Sequence, residues 1–355
     1  LIYMKKIWAV HFNDIHIKNG NENDIYEAIK FMVEYCVENG IKNLICGGDV
    51  FDSRSFQRLS HLQCWIDCLE LFRLNEIKCY INVGNHDKSL YNKKENFIDP
   101  FKYHPSIELF DDIKTIELNG KKVTFSPFFS NDILVPMLNE HKGADVLIGH
   151  WSMEGSTYLK QVSESPINKK LLSKWNKVFL SHYHNYHKLG KDISHLPSLI
   201  QDNFGEDNLK GFTVIYEDLS YEVIKGKFKE FKKVVIDLNE KSMDYVKKLI
   251  KEQQNSSNVL RFEFTGDETK LKSLNKSIFA NTGIDIKLKF DKKYDFDDSQ
   301  LEMPNVIESY GKEDIENEFK SFCNNKGYDF DFGSILLKKF FLRNNMAKKK
   351  KSKGI

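Results

Sequence analysis

Five short motifs place Asp, Asn and His side chains at spacings that suit the binding of metal ions. Each motif follows a short apolar run that is typical of a buried strand. A single Asp or His in a loop is more often a turn former, but that interpretation predicts no agreement among five strand ends. The motifs therefore indicate one shared site. They are Asn13-Asp14-Ile15-His16, Gly48-Asp49-Val50-Phe51-Asp52, Gly84-Asn85-His86-Asp87, Gly149-His150 and Ser181-His182-Tyr183-His184.

The residue types favour two divalent cations bound side by side. Two ions about 3.5–4 Å apart need a shared anionic bridge, and Asp49, beside a glycine, is the natural candidate. We expect Asp14 and His16 to converge on one ion, because residues two apart on an extended segment share a face. His182 and His184 have the same spacing. Mixed imidazole and carboxylate ligation favours manganese, iron or zinc over magnesium. Such a pair of ions suits an in-line phosphoryl displacement.

Strand-like and helical stretches alternate through the first half of the chain. The spacing of apolar residues predicts helices over Asp24–Glu38 and Leu59–Leu74. This alternation is typical of an α/β layered sheet. Because the ligands of α/β proteins gather at the carboxyl ends of strands, the motifs lie where a site is expected. The predicted strands are Ile7–Phe12, Asn43–Cys46, Lys78–Val83, Val123–Ser126, Val146–Ile148 and Val178–Leu180.

The pattern changes after about Leu219. Residues 230–290 contain no His and predict the order β-α-β-α-β, which indicates a separate small domain. Residues 292–304 are polar, end in a proline and are typical of a linker. Helices are then predicted over Val306–Cys323 and Ser334–Leu342, before a lysine-rich tail. The predicted elements of the small domain are the strands Glu230–Leu238, Val259–Phe264 and Ile284–Phe290 and the helices Met243–Gln253 and Glu268–Phe279.

The composition favours a folded protein and shows no sign of a membrane protein. Hydrophobic residues make up 41% and charged residues 29%, which excludes a disordered or collagen-like chain. The net charge of +2 is too small to identify a polyanion-binding protein. No apolar run approaches the roughly 18 residues of a membrane span, and we expect no signal peptide. The scattered cysteines indicate buried thiols in a reducing compartment, so we expect a cytoplasmic protein.

The five motifs, in this order, resemble those of the calcineurin-like metallophosphoesterase superfamily over about residues 4–217. The motif at 48–52 and residues 196–212 (LPSLIQDNFGEDNLKGF) are similar, more narrowly, to the SbcD nucleases. The resemblance implies an α/β protein: a four-layer metallophosphoesterase sandwich with a small α+β capping domain and C-terminal helices. The expected parts are a nuclease domain (4–220), a DNA-binding capping domain (221–296), a linker and helical partner-binding segment (297–345) and a basic tail (346–355).

The same resemblance implies a role for each polar residue of the motifs. His86 would not bind metal but would stabilise the transition state or protonate the leaving oxygen, and Asp87 would orient it. For Asp52 two roles remain open: it could line the wall of the site, or it could cap a helix. Ser181 departs from the glycine that is usual before the last histidine pair, although serine is also small enough for a tight turn. One ion would be held by Asp14, His16, Asp49 and His184, and the second by Asp49, Asn85, His150 and His182.

The function that the resemblance implies is that of a manganese-dependent DNA exonuclease or endonuclease in DNA repair, recombination or replication. The expected partners are single- and double-stranded DNA ends, an SbcC-like coiled-coil ATPase and a second copy of the chain. The expected location is the cytoplasm of a bacterium or of a phage-infected cell. One alternative is a phosphodiesterase or phosphatase acting on a small molecule or a phosphoprotein, although such an enzyme has no evident use for the chain after residue 220. Another is a DNA-end-binding scaffold with an idle site, although all seven predicted ligands are present.

Basic residues outside the motifs leave two interpretations open. Arg54 and Arg58 follow the second motif and would suit contacts with phosphates, but the solvated start of a helix explains them equally well. A run of lysines after residue 224 is either a solvated face or a DNA contact. These lysines are Lys225, Lys227, Lys229, Lys232 and Lys233.

Overall fold

The structure is a computed structural model that describes residues 5–290, apart from 159–160, 227, 254–255 and 257. Two six-stranded sheets come first in the chain, and a three-stranded sheet follows them. The predicted linker, C-terminal helices and basic tail lie outside the described residues. None of the described helices combines the length and the apolar character that crossing a membrane requires.

Six strands form the first sheet, and five of them run in the same direction. Strands and helices are numbered here in chain order. In spatial order the strands are Tyr221–Ile224 (β14), Phe212–Tyr216 (β13), Ile7–Phe12 (β1), Asn43–Cys46 (β2), Lys78–Asn82 (β3) and Ile107–Phe110 (β4). β13 is antiparallel to both of its neighbours, β1 and β14. Helices Glu22–Glu38 (α1) and Leu59–Leu74 (α2) share a core with this sheet, because apolar residues recur along each at helical spacing.

The second sheet also has six strands, and a second pair of helices packs on it. In spatial order the strands are His187–Lys188 (β11), Ile193–His195 (β12), Lys177–Ser181 (β10), Val146–His150 (β7), Lys121–Ser126 (β6) and Lys114–Leu118 (β5). Helices Asn131–Glu140 (α3) and Lys169–Leu172 (α4) pack on it. Between β7 and β10 the chain forms a small hairpin of Thr157–Tyr158 (β8) and Gln161–Val162 (β9). A short 3₁₀ helix, Asp99–Phe101, follows β3.

The two six-stranded sheets share a buried apolar core. Trp8 and Ile45 from the first sheet lie in one cluster with Phe125, Ile148 and Phe179 from the second. The parallel strands are apolar on both faces, because one face meets helices and the other meets the opposite sheet. The result is a sandwich of helices, sheet, sheet and helices. The predicted fold class, an α/β sandwich of four layers, is confirmed.

The third sheet has three parallel strands and a core of its own. Its strands are Phe231–Asp237 (β15), Val259–Thr265 (β16) and Asp285–Leu288 (β17). Helices Met243–Gln253 (α5) and Glu268–Lys272 (α6) connect them in the predicted β-α-β-α-β order. Side chains from the sheet and from the helices form this core, including Ile236, Val246, Phe262 and Phe264.

The structure differs from the predicted bounds at two places in this part of the chain. The predicted helix Glu268–Phe279 is wrong as one element, because α6 ends at Lys272 and a 3₁₀ helix covers Lys276–Phe279. The break occurs because the Asn275 side chain accepts a hydrogen bond from the Ser277 N–H and starts the new turn. In addition, β14 pairs with β13, so the first sheet extends past the predicted boundary at residue 220.

Candidate metal centre

All seven predicted ligands lie at the carboxyl ends of strands, and both six-stranded sheets contribute. Asp14 and His16 follow β1, Asp49 follows β2 and Asn85 follows β3. From the second sheet, His150 ends β7, and His182 and His184 follow β10. The elements therefore gather the ligands at one edge of the sandwich, as the α/β architecture requires.

The backbone turns sharply at four of these ligands. Asp14 has a φ of +50°, His16 of +45°, Asp49 of +56° and His182 of +85°. Residues other than glycine rarely adopt such values, and clusters of them are typical of functional sites. The prediction that Asp14–His16 and His182–His184 are extended pairs is therefore wrong. Left-handed turns, rather than strand alternation, direct these side chains.

Two glycines allow the loops to approach one another. Gly48 has a φ of +108°, and a Cβ atom there would lie 2.7 Å from Nδ1 of His150. A Cβ at Gly84 would lie 2.1 Å from Oδ1 of Asp49. Any larger residue at either position would displace a proposed ligand.

Asp14, His16 and His184 form the first ligand cluster, and their donor atoms lie within 4.8 Å of one another. The two imidazoles bring their Nε2 atoms to 3.1 Å, and Oδ2 of Asp49 lies 3.6 Å from Nε2 of His16. Oδ1 of Asp14 and Nδ1 of His16 are buried and have no hydrogen-bond partner among the described residues. Buried polar atoms without partners are costly, and a cation would satisfy the carboxylate oxygen.

Asp49, Asn85, His150 and His182 form the second cluster. Nε2 of His150 lies 3.2 Å from Oδ2 of Asp49 and 3.1 Å from Oδ1 of Asn85. Nδ1 of His182 lies 2.7 Å from the same Asn85 oxygen. The carbonyl of Gly47 accepts a hydrogen bond from Nδ1 of His150 at 2.8 Å, which leaves Nε2 free for a ligand. Asp49 reaches both clusters, so the residues fit two ions with one bridging carboxylate.

The charged groups of the second cluster shift one another's pKa values. Burial alone raises the pKa of Asp49, but the imidazoles of His150 and His16 hold it well below its usual range. Burial lowers the pKa of His150, yet the Asp49 carboxylate raises it to about 9. Burial and the neighbouring His150 lower the pKa of His182 to about 3. An ion-free site therefore keeps a proton on His150, and binding of a cation to that imidazole must release it.

His86 lies beside the clusters, in the wall of an open cavity of about 320 Å³. Its Nδ1 is 2.6 Å from the carbonyl oxygen of Asp52, and its backbone N–H donates to Oδ1 of Asp49 at 2.8 Å. The hydrogen bond at Nδ1 leaves Nε2 available to exchange a proton. Asp52 therefore has a part in the wall of the site, and it acts through its backbone carbonyl. The cavity is lined by His16, Asp49, Asp52, His86, His182, Tyr183, His184, Asp202 and Asn203.

Asp87 does not have the predicted role of orienting His86. Its carboxylate accepts four backbone N–H groups, from Gly84 and from residues 49–51, at 2.9–3.1 Å. The side chain is fully buried. Asp87 thus joins the loop after β3 to the loop after β2 and holds Asp49 in place, while the Asp52 carbonyl orients His86.

Two features of the site were not predicted from the sequence. Asp202 and Asn203 line the cavity, and the buried carboxylate of Glu206 lies 2.7 Å from Nδ1 of His184. All three belong to the segment 196–212 that carries the narrower family resemblance, and that resemblance was the signal available. The residues themselves are ordinary polar loop residues, so periodicity and spacing give no indication of a site.

The basic residues outside the motifs take part mainly in local contacts. The Arg54 guanidinium lies 3.8 Å from the centre of the Tyr91 ring and donates to the Lys88 carbonyl at 3.2 Å. Lys225 and Lys232 pair with Glu230 at 3.5 and 3.1 Å. Lys229 pairs with Asp24 at 3.1 Å, and Lys227 lies outside the described residues. These ion pairs favour the interpretation of a solvated face for this run of lysines.

The comparison with protein-family models agrees with the geometry of the site. The family model of calcineurin-like phosphoesterases matches residues 7–224, from the start of β1 to the end of β14, and so includes all five motifs. No curated protein sequence matches the chain. Among solved structures, the chain is similar to the nuclease MPE of Pseudomonas putida, with 16% identity and a TM-score of 0.27. The alignment covers 50% of this chain and 62% of that one, so this chain spans less than two thirds of that protein.

Proposed function

Because the chain belongs to the calcineurin-like phosphoesterase family, we propose that it is a manganese-dependent nuclease that hydrolyses phosphodiester bonds of DNA. Membership of the family implies a metal-dependent phosphoester hydrolase, and the chain has the side chains that this requires. The observation that carries the proposal is the pair of ligand clusters that share Asp49. Imidazole and carboxylate donors together favour manganese over magnesium, which prefers oxygen ligands alone.

Each group of the site has a defined part in this reaction. Asp14, His16, Asp49 and His184 would hold one ion, and Asp49, Asn85, His150 and His182 the other. Bound ions supply a nucleophile at neutral pH and neutralise the charge of the phosphate oxygens. His86 has Nδ1 fixed by the Asp52 carbonyl, so its Nε2 would protonate the leaving oxygen or stabilise its charge. The open cavity gives a phosphodiester access to both clusters.

The choice of DNA as substrate rests on the segment 196–212 and on the unit that follows the sandwich. That segment resembles the SbcD nucleases, and it lines the cavity through Asp202 and Asn203. The described residues of the three-stranded sheet belong to neither ligand cluster, so this sheet is available for contacts with a large substrate or a partner. The alternative, a phosphodiesterase or phosphatase for a small molecule or phosphoprotein, uses the same residues and differs in substrate alone.

Cleavage assays with defined metals separate the two functions. The purified protein is incubated with Mn²⁺, Mg²⁺ or EDTA on end-labelled single- and double-stranded DNA and on bis(p-nitrophenyl) phosphate. We expect cleavage of DNA with Mn²⁺, much less with Mg²⁺ and none with EDTA. Cleavage of the small ester with no cleavage of either DNA would favour the alternative.

We further infer a coiled-coil ATPase of the SbcC type as partner, bound through residues 306–342, in a repair or recombination complex that contains two copies of the chain. The sequence of this segment, which lies outside the described residues, supports the inference through apolar residues at helical spacing such as Ile307, Tyr310, Ile335 and Phe340. Truncation after Asp297 should abolish co-purification with the ATPase and leave Mn²⁺-dependent cleavage of short DNA. Retention of the ATPase by the truncated protein would place the partner site elsewhere.

A further inference from the structure

We propose that Glu206 is a positioning residue that fixes the proton of the metal ligand His184, so that this imidazole presents Nε2 to the ion. The proposal rests on the metal centre proposed above and names a residue outside its ligand set. Glu206 lies in the loop after β12, and its side chain is buried.

The hydrogen bond between Glu206 and His184 determines which imidazole nitrogen is free. Nδ1 of His184 donates to Oε1 of Glu206 at 2.7 Å, and Nε2 of the same ring lies 3.1 Å from Nε2 of His16. A neutral imidazole carries one proton, and the nitrogen without it can bind a metal ion. A carboxylate at Nδ1 keeps the proton there, and it also makes Nε2 a stronger donor to the metal.

Within the part of the chain that the structure describes, the other imidazole ligands have no comparable partner. Nδ1 of His150 is bonded to the neutral carbonyl of Gly47, and Nδ1 of His182 faces Asn85 within the site. Nδ1 of His16 is 3.8 Å from Asp52, too far for a hydrogen bond. Among the described residues, Glu206 is thus the one carboxylate that accepts a hydrogen bond from an imidazole ligand through the ring nitrogen that faces away from the other ligands.

The loop between β12 and β13 holds the Glu206 carboxylate in place. The Asp202 N–H donates to Oε2 at 3.1 Å, and the Asn203 amide donates to Oε1 at 2.6 Å. The buried ammonium of Lys210 lies 3.2 Å from Oε2 and donates to the carbonyl of His184 at 2.6 Å. Each carboxylate oxygen is therefore satisfied, and the buried negative charge is paired.

A purely structural role for this buried carboxylate is the competing explanation. It predicts that removal of the charge lowers the stability of the protein and leaves the metal affinity of the folded molecule unchanged. Glu263 of β16 offers a matched comparison, because it is also buried and pairs with a lysine, Lys289, at 2.5 Å. Glu263 belongs to none of the candidate ligand clusters among the described residues.

Metal titration of the full chain tests the proposal. Wild type, Glu206→Gln and Glu263→Gln are freed of metal with EDTA, checked for folding by circular dichroism and titrated with Mn²⁺ by calorimetry. We expect two ions in the wild type and in Glu263→Gln. In Glu206→Gln one of the two sites should bind about 10–100-fold more weakly, while the other keeps its affinity. Wild-type affinity at both sites of Glu206→Gln, or the same loss in both variants, would overturn the proposal.

A measurement on the wild type covers the case in which Glu206→Gln does not fold. ¹⁵N NMR of the Zn²⁺-loaded protein distinguishes the two imidazole nitrogens, and we expect His184 to carry its proton on Nδ1. A proton on Nε2 would overturn the proposal. A wild type that binds two ions but leaves DNA uncut would contradict the nuclease proposal alone. The metal titration and the NMR measurement would then still test the role of Glu206. A wild type that binds no ion would overturn both proposals.

Discussion

Single side chains of the metal centre differ in what their removal should change. Asp49 is the residue proposed as a ligand of both ions, whereas His86 lies beside the clusters and is held by the Asp52 carbonyl. Substitution of the first should therefore affect the ions, and substitution of the second should affect the chemistry.

Asp49→Asn keeps the shape of the bridging residue and removes its charge. We expect Mn²⁺-dependent cleavage to fall by at least about 10²-fold, because two cations at close range need an anionic bridge. Metal analysis by mass spectrometry should find fewer than two ions in each chain, and the circular dichroism spectrum should stay unchanged. Asp67→Asn, an exposed position in α2, is the control. Near-normal cleavage by Asp49→Asn would contradict the shared bridge.

His86→Ser removes the imidazole that is proposed to act on the leaving oxygen. Cleavage should slow by about 10²-fold or more, and both ions should remain, since His86 belongs to neither proposed ligand set. Metal content is the deciding measurement. A variant that holds one ion would identify His86 as a ligand, which its distance to His16 and Asp49 would permit.

The strands and helices that position the site follow from local patterns, whereas the loops between them do not. β1, β2 and α2 have their predicted bounds, because apolar periodicity reports which face of an element is buried. The left-handed turn at Asp14 depends on distant contacts: its N–H donates to the Gly48 carbonyl at 2.9 Å, and its carboxylate accepts from the N–H of His182 at 3.1 Å. No local pattern encodes such partners, so the residue types of the proposed ligands can be read from the sequence and their backbone geometry cannot.

Asp87 joins the loops that follow β2 and β3, and its removal should lower the free energy of unfolding. Asp87→Ala would leave four buried N–H groups without an acceptor, and each such group costs about 1–3 kcal/mol. We expect the free energy of unfolding in urea to fall by about 3 kcal/mol or more. Asp87→Asn, which keeps an acceptor oxygen, should lose less. A change as small as that of the exposed Asp67→Ala would show that the two loops do not depend on this carboxylate.

At the scale of the whole molecule, the metal centre lies where the two six-stranded sheets meet. Four proposed ligands come from the first sheet and three from the second. Elsewhere the sheets are held together by apolar contacts such as those of Trp8 and Phe179. Bound ions would therefore add cross-links between two layers of the fold, and their effect on stability should exceed that of an ion bound within a single loop.

Metal binding should raise the melting temperature of the protein. At a free Mn²⁺ concentration about 100 times the dissociation constant, each ion should stabilise the folded state by about 2.7 kcal/mol. For a domain of this size that corresponds to a rise of about 5 °C or more. Differential scanning fluorimetry with Mn²⁺ and with EDTA measures the shift, and Asp49→Asn should show a much smaller one. An equal shift in both proteins would place the stabilising metal outside this centre.

The antiparallel pairing of β1 with β13 also has a consequence for synthesis of the chain on the ribosome. The neighbour of β1, Phe212–Tyr216, is made about 200 residues after β1 itself. At a translation rate of about 5–20 residues per second, one edge of β1 stays open for roughly 10–40 s. An unpaired apolar edge of this kind is prone to pair with other chains. Shielding of this edge during synthesis would therefore protect the nascent protein until β13 arrives, and by then the last proposed ligand, His184, has already been added.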